Sequence, residues 1–192
     1  MYISGIGGQG VQLVAKVLAL AAIQENRHAM LNGFYGHEMR GGVSLSTVVL
    51  GDGPLKSLPV AAKVDAAVVL HDHFWERHRG RLRDNALVVA EATIAERLHL
   101  MPGHRRVSVP ASRIALEVGN PMTMGLALLA AFTSITGVVE TQSLMAAMRS
   151  VVPAHRRQHV EYNERAILAG SSSVQARSEF LVRQDPGQRA TA

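Results

Sequence analysis

The sequence predicts an α/β fold, a Rossmann-like sheet with flanking helices and a helical C-terminal part. An apolar strand at residues 1–6 leads at once into a glycine turn and a long apolar helix at 11–25, which is the order of a nucleotide-binding α/β unit. Further strand-like runs follow as far as residue 109, whereas the apolar spacing over 112–170 is helical. Strands that alternate with helices favour a sheet covered by helices.

Each predicted element has its own local signal. The run 64–70 is entirely apolar after Asp65, which is typical of a buried parallel strand. Gly137 and Gly170 are expected to end the helices that precede them, because glycine readily takes the left-handed conformation of a C-terminal cap. The other predicted strands are 28–32, 43–50, 86–90 and 106–109, and the other predicted helices are 114–118, 122–136, 140–151 and 155–169.

The chain is expected to form one domain over residues 1–170, followed by a weakly ordered tail over 171–192. Apolar residues make up 47% of the sequence, so the domain can bury a sizeable core. The helix at 11–25 is apolar nearly all round, and either the domain itself or a partner must therefore cover it.

Cysteine is absent from the sequence. Disulfides, cysteine nucleophiles and cysteine-ligated zinc or iron–sulfur clusters are therefore excluded from this chain. No apolar run reaches the ~18 residues that span a bilayer, and the start lacks the basic region and cleavage site of a signal peptide. We expect a cytoplasmic protein with no membrane partner.

The net charge of +5 is accompanied by basic clusters at 77–83, 104–106 and 155–157. Such clusters are either solvated faces or a surface that attracts a polyanion, which is a nucleic acid or a polyphosphate cofactor. No aromatic platform is interleaved with the arginines, as binding of a single strand would require. We expect no nucleic-acid partner.

The glycine turn Gly5-Ile6-Gly7-Gly8-Gln9-Gly10 has the G-x-G-x-x-G spacing of a dinucleotide fingerprint. That fingerprint also needs an acidic residue at the end of the second strand, but the strand at 28–32 ends in Asn32 and Gly33. Two interpretations remain besides a dinucleotide. The glycines either allow the helix to pack tightly on the strand, or they form a site for another phosphate-bearing ligand at the helix N-terminus.

A second glycine-rich stretch, the predicted loop 33–42, contains the acid–base pair Glu38 and Arg40. The loop either closes over a ligand, with Arg40 binding a phosphate or a carboxylate, or it is held against a partner by a Glu38–Arg40 salt bridge. The residues leave both interpretations open.

Four potential metal ligands, His71, Asp72, His73 and His78, fall within eight positions. No second cluster fixes a coordination geometry, and Arg77 would lie beside the ion. We expect surface or interface histidines here and no metal site.

The glycine turn together with Tyr35-Gly36-His37-Glu38-Met39-Arg40-Gly41-Gly42 resembles the two signatures of the gamma subunit, or gamma domain, of 2-oxoacid:ferredoxin oxidoreductases. Asn120-Pro121-Met122 before an apolar helix and the ending at 161–170 are also similar to this family, so the resemblance covers residues 1–170. His37 departs from the pattern, because the family usually has proline there. Which 2-oxoacid is used (the pyruvate, 2-oxoglutarate, ketoisovalerate or indolepyruvate type) stays open.

The resemblance implies a complex that oxidises a 2-oxoacid to acyl-coenzyme A and passes the electrons to ferredoxin. It implies a hetero-oligomer in which thiamine diphosphate, with magnesium, lies between alpha and beta subunits and iron–sulfur clusters lie in other subunits or domains. The gamma part has no catalytic residue, is inactive alone and helps to form the coenzyme A side of the active site. The residues implied for binding coenzyme A are Gly7, Gly8, Gln9, Gly10, Glu38, Arg40, Gly41 and Gly42.

The residues by themselves allow two other functions. One is a free-standing nucleotide-binding enzyme that uses the glycine turn, and the other is a basic nucleic-acid-binding module. Co-purification with larger subunits separates both from the first interpretation.

Overall fold

The computed structural model describes residues 1–36, 41–55 and 61–174. Its strands are β1 (Tyr2–Ile6), β2 (His28–Tyr35), β3 (Val43–Gly51), β4 (Val64–Val69), β5 (Leu82–Glu91) and β6 (Arg105–Val109). Its helices are α1 (Val11–Gln24), α2 (Trp75–His78), α3 (Ala92–Ala95), α4 (Ala111–Val118), α5 (Met124–Thr136), α6 (Thr141–Val151) and α7 (Val160–Ser172). Short 3-10 segments lie at Arg79–Arg81, Pro121–Thr123 and Ala154–His159.

The described strands form one mixed sheet in the order β2-β3-β1-β4-β5-β6. The four strands β1, β4, β5 and β6 run parallel to one another, with Tyr2 opposite Ala67 and Val89 opposite Val107. β4 lies between two parallel neighbours and is buried at every position except Asp65, as its apolar run predicts. The predicted α/β class is confirmed.

The strand β3 separates β2 from β1 and is antiparallel to both. Ser46 of β3 lies opposite Ile3 of β1 on one side and opposite Gly33 of β2 on the other. In a dinucleotide-binding fold the second strand lies directly beside the first and its end carries the ribose ligand. Because β2 is one strand further out, this sheet does not complete the geometry of the dinucleotide fingerprint.

The predicted loop 33–42 is wrong in its first residues, because β2 continues to Tyr35. Gly33 lies within the strand, and a Cβ built on it would be 2.3 Å from Gln12 Oε1. Gln12 uses this space to reach β3, where its Nε2 donates to Leu45 O (3.2 Å) and its Oε1 accepts from Ser46 Oγ (2.7 Å). A glycine inside a strand commonly marks such a close approach. Residues 37–40 lie outside the described residues.

The predicted helices are present, with shifted ends. The helix predicted at 122–136 begins as α5 only at Met124, after a 3-10 turn that Asn120 caps by accepting from the Met122 N–H (3.1 Å). Gly137 ends α5 in the left-handed conformation with a φ of 62°, as predicted. The segment predicted at 155–169 is divided into a 3-10 segment and α7.

Gly170 does not end α7, which continues to Ser172. A Cβ built on Gly170 would lie 2.2 Å from Ala127 O of α5, so the glycine allows two helix backbones to touch. The domain boundary at residue 170 stays a prediction, and residues 175–192 lie outside the described part of the chain.

The domain itself covers α5, whose residues are nearly all buried between the sheet, α1, α4 and α7. Helix α1 differs, because Leu13, Lys16 and Ile23 remain exposed on its outer side. The sequence left open whether the domain or a partner covers the helix at 11–25. The domain covers most of α1 and leaves this outer side exposed.

The opposite face of the sheet is covered by the four-residue helices α2 and α3 and by loops. Trp75 is buried there and its Nε1 donates to His99 O (3.2 Å). Helices this short carry no periodic signal, which is why the sequence did not predict them. None of the described helices is long and apolar enough to cross a membrane.

Gly170→Ala should lower the free energy of unfolding by about 1–3 kcal/mol, because the new methyl group has only backbone atoms to displace. This is the net change expected after the roughly 1 kcal/mol that alanine gains over glycine inside a helix. Gly80→Ala is the matched control, since a Cβ on Gly80 would meet no atom within 4 Å. Chemical denaturation in which both variants are equally stable would show that α5 and α7 do not pack this closely.

Candidate functional site

The glycine turn joins β1 to α1 through two residues in the left-handed region. Gly8 has a φ of 100° and Gly10, the N-terminal cap residue of α1, has a φ of 74°. The Ile6 N–H donates to Gln9 Oε1 (3.0 Å), and the Gln9 N–H donates back to Ile6 O (3.2 Å). The Gln9 side chain therefore closes the turn from inside.

The turn leaves backbone donors free. Among the described residues, the N–H groups of Gly8, Gly10 and Val11 have no hydrogen-bond acceptor, and no side chain caps α1. Free donors at the positive end of a helix dipole attract anions.

The two glycine motifs meet in space. The Gly7 N–H donates to Gly42 O (2.8 Å), and a Cβ built on Gly7 would lie 3.6 Å from Gly41 N. This contact holds the end of the second motif against the glycine turn. Glu38 and Arg40 lie outside the described residues.

Helix α5 begins beside the turn because Gly125 has no side chain. A Cβ built on Gly125 would lie 2.8 Å from Val14 Cγ2 and 3.5 Å from Gln9 O. The 3-10 turn before α5 is therefore brought next to the N-terminus of α1.

A groove of ≈ 640 Å³ opens between these elements at the carboxyl end of β1. Its walls are the glycine turn and α1, the start of α5, and the connection from α6 to α7. The lining residues are Gly7, Gly8, Gly10, Val11, Gln12, Leu13, Tyr35, Ser44, Asn120, Met122, Leu126, Val151, Val152, Pro153, Arg156, His159 and Asn163. Ligand sites of α/β proteins lie at this end of the sheet.

The chemistry of the groove is apolar with a cationic rim. The charged or chargeable groups among its described lining residues are Arg156, His159 and the phenol of Tyr35, and no carboxylate is present. Asn163 is buried and donates from Nδ2 to Met148 Sδ (3.5 Å). A site of this kind favours an anionic ligand with an apolar part.

The structure unites only some of the residues that the sequence marked as candidates. Gly7, Gly8 and Gly10 line the groove, whereas Gln9, Gly41 and Gly42 support the turn and are not among the described lining residues. Asn120, Arg156 and His159 were not candidates. The motif at 120–122 and the basic cluster at 155–157 were visible in the sequence, but nothing local indicated that they face the glycine turn.

The histidine cluster after β4 is engaged in other contacts. His71 Nδ1 accepts from the His73 N–H (3.1 Å), and Arg97 Nε lies 2.8 Å from Asp72 Oδ2. Burial alone would raise the pKa of Asp72, but the hydrogen bond from Arg97 lowers it below its usual range. In the described part of the chain no group of three or more His, Cys, Asp or Glu side chains has a geometry that could hold a metal ion.

Residues 1–173 match the pyruvate ferredoxin/flavodoxin oxidoreductase family. The chain belongs to this family. Its resemblance to the gamma subunit of 2-oxoacid:ferredoxin oxidoreductases, deduced from the two glycine motifs, is therefore confirmed.

Members of the pyruvate ferredoxin/flavodoxin oxidoreductase family that resemble the chain are subunits of larger enzymes. The 2-oxoglutarate synthase subunit KorC of Methanocaldococcus jannaschii is 30% identical over 155 residues, which cover 79% of this chain and 82% of that protein. The solved gamma subunit of a keto/oxoacid ferredoxin oxidoreductase from Geobacter sulfurreducens is 26% identical with a TM-score of 0.75, covering 90% of this chain and 95% of that chain.

The same fold also occurs within a longer chain. The 2-oxoglutarate:ferredoxin oxidoreductase of Magnetococcus marinus, solved with 2-oxoglutarate, coenzyme A and succinyl-CoA bound, matches with a TM-score of 0.81 at 15% identity. The match covers 94% of this chain but only 32% of that chain. At this identity the likeness shows the fold alone.

The basic clusters at 77–83 and 104–106 are partly paired within the domain. Arg79 lies 2.6 Å from Glu76, Arg83 lies 2.8 Å from Asp65, and Arg106 forms an ion pair with Glu96 (3.3 Å). Pairing of this kind is expected of solvated faces and leaves less charge for a nucleic acid.

Gln9→Leu should lower the free energy of unfolding by about 1 kcal/mol, because the Ile6 N–H loses its acceptor. Gln9→Glu is the matched control, since it keeps an acceptor at the same atom and adds a negative charge near the N-terminus of α1, which the helix dipole favours. Thermal unfolding should separate the two variants. Equal melting temperatures would mean that the side chain of Gln9 does not hold the turn.

Proposed function

We propose that this chain is the gamma-type subunit of a thiamine diphosphate- and iron–sulfur-dependent 2-oxoacid:ferredoxin oxidoreductase. The complex oxidises a 2-oxoacid to acyl-coenzyme A and carbon dioxide in the cytoplasm, with electrons passing to ferredoxin. Family membership supports this proposal, as do relatives that are subunits of enzymes acting on 2-oxoacids.

The groove is the proposed coenzyme A side of the active site. One observation carries this assignment: the N–H groups of Gly8, Gly10 and Val11, which have no acceptor among the described residues, lie at a groove whose described lining contains no carboxylate. The diphosphate of coenzyme A needs such donors, and the apolar lining suits its pantetheine arm. The gamma-type subunit would bind and orient coenzyme A for the acyl group that is formed elsewhere in the complex.

The redox cofactors are assigned to the partner subunits. The chain has no cysteine with which to hold an iron–sulfur cluster. Thiamine diphosphate with magnesium and the iron–sulfur clusters would therefore be bound by alpha and beta or further subunits and would supply the decarboxylation and electron-transfer chemistry.

Glu38 and Arg40 keep the two roles that the sequence allows, a ligand contact or a partner contact. Arg40→Ala in the assembled complex distinguishes them. Weaker coenzyme A binding with intact assembly indicates the ligand, whereas release of the subunit indicates the partner.

The outer edge of β2 is the proposed contact with the larger subunits. Among the described residues no strand pairs with this edge. Leu31, Phe34 and Tyr35 are exposed along it, and Tyr35 continues into the lining of the groove. An open edge with exposed large apolar side chains is unfavourable in water unless a partner covers it.

Leu13→Glu in the assembled complex should raise the Kd for coenzyme A roughly tenfold, because it places a negative charge in the first turn of α1, beside the proposed diphosphate site. Leu13→Gln is the matched control, since it has the same size without the charge. Calorimetric titration measures both. If the charged variant binds coenzyme A as tightly as the neutral one, the glycine turn does not bind its diphosphate.

Phe34→Glu should release the subunit from the complex, because a charge on the edge of β2 must be buried against the partner. Leu168→Glu on α7 is the control, as Leu168 is 50% exposed and Phe34 is 55% exposed. Light scattering on the co-expressed subunits measures the mass of the complex and so shows whether the variant subunit is bound. If the Phe34→Glu subunit assembles and the Leu168→Glu subunit does not, the interface lies on the surface of α7 and not at the edge of β2.

A further inference from the structure

The connection from α6 to α7 adds positive charge to the groove, and no carboxylate among the described residues is paired with it. The 3-10 segment Ala154–His159 contains two arginines and two histidines, of which Arg156 and His159 line the groove. In the described residues neither forms an ion pair, and Glu164 of the adjoining helix α7 is already paired with Arg149. The Arg156 guanidinium, at a groove with no carboxylate among its described lining residues, is available to an anionic ligand.

His159 adds a polar atom without a partner. Its Nδ1 is buried and has no hydrogen-bond partner among the described residues. Buried polar groups in native proteins are almost always paired. An acceptor or donor on a ligand in the groove would satisfy this atom.

The positive charge of the 3-10 segment Ala154–His159 is destabilising where it lies unless an anion is bound. The segment runs directly into α7, so its cations lie at the N-terminal, positive end of that helix dipole. Cations are unfavourable there, whereas an anion is stabilised. A bound phosphate would offset both effects.

The groove is thus lined by two groups that attract anions, the glycine turn and the segment with Arg156 and His159, and it has an apolar lining as well. That lining includes Leu13, Met122, Leu126, Val151 and Val152. A ligand with a single phosphate would use only one of these two groups. Coenzyme A carries a diphosphate and, on its ribose, a separate phosphate monoester.

We propose that Arg156, together with His159, binds the 3′-phosphate of coenzyme A while the glycine turn binds the diphosphate. This inference rests on the proposed function of the groove. A row of backbone N–H groups suits a diphosphate, whereas a guanidinium binds two terminal oxygens of a phosphate monoester at once. Arg156 is then the residue that distinguishes coenzyme A from 3′-dephospho-coenzyme A.

The test titrates the assembled complex with coenzyme A and with 3′-dephospho-coenzyme A by calorimetry. The unmodified complex should bind coenzyme A roughly 10- to 100-fold more tightly than the dephospho form, as expected for a charge-assisted hydrogen bond. Arg156→Gln should weaken binding of coenzyme A alone and remove the preference. Arg157→Gln is the matched control, because Arg157 is also exposed and is the next residue but does not line the groove.

His159→Phe should reduce the same preference without changing the affinity for the dephospho form, because it removes the ring nitrogen while filling the space. A general loss of folding or assembly would instead weaken both ligands. The ratio of the two affinities therefore separates a phosphate contact from a structural role.

Several outcomes would overturn the inference. The first is equal affinity of the unmodified complex for both ligands. The second is an Arg156→Gln variant that keeps the preference for coenzyme A or weakens binding of both ligands equally. The third is an Arg157→Gln variant that loses the preference as Arg156→Gln does, which would indicate long-range attraction only. If the proposed function itself is wrong, Leu13→Glu also leaves coenzyme A binding unchanged. If only this inference is wrong, Leu13→Glu still weakens binding while Arg156→Gln keeps the preference.

Discussion

The site depends on one backbone constraint, the sharp turn that starts α1 within five residues of the end of β1. Only a residue without a side chain takes the φ angles of Gly8 and Gly10 at little cost. The turn is held by Gln9 from inside and by the bond from the Gly7 N–H to Gly42 O from outside. These contacts use other donors. In the part of the chain that the structure describes, the N–H groups of Gly8, Gly10 and Val11 therefore have no acceptor and are available to an anion.

The position of β3 decides what this turn can bind. With an antiparallel strand inserted beside β1, the ribose position of a dinucleotide fold is absent, although the glycine spacing is present. The space above the turn is instead closed by the start of α5 and by the connection into α7. The same spacing of glycines is therefore compatible with a different ligand geometry, and the strand order, which the motif does not reveal, excludes the dinucleotide one.

Local features of the fold could be predicted from the sequence and long-range features could not. The apolar run of β4 and the cap at Gly137 each depend on a few residues that are adjacent in the sequence, and the structure confirms both. Gly33 and Gly170 looked like a loop residue and a helix end. Their true role is to make room for Gln12 and for the backbone of Ala127, which are distant in the chain.

The candidate site also has a part that the sequence predicted and a part that it did not. The glycine turn is a local motif, and three of its residues line the groove. Arg156 and His159 belong to a basic stretch whose surroundings depend on how α6 and α7 pack against α1 and α5, and no pattern within the stretch indicates this. Charge alone identified the segment, and only tertiary structure relates it to the turn.

The central claim is that the groove beside the glycine turn receives coenzyme A in the assembled enzyme. An electron cryo-microscopy structure of the complex purified with its partner subunits and saturated with coenzyme A tests it most directly. Density for the diphosphate is expected within hydrogen-bonding distance of the N–H groups of Gly8, Gly10 or Val11. Coenzyme A bound at a distance from this turn, with the groove filled by a side chain of a partner subunit, would contradict it.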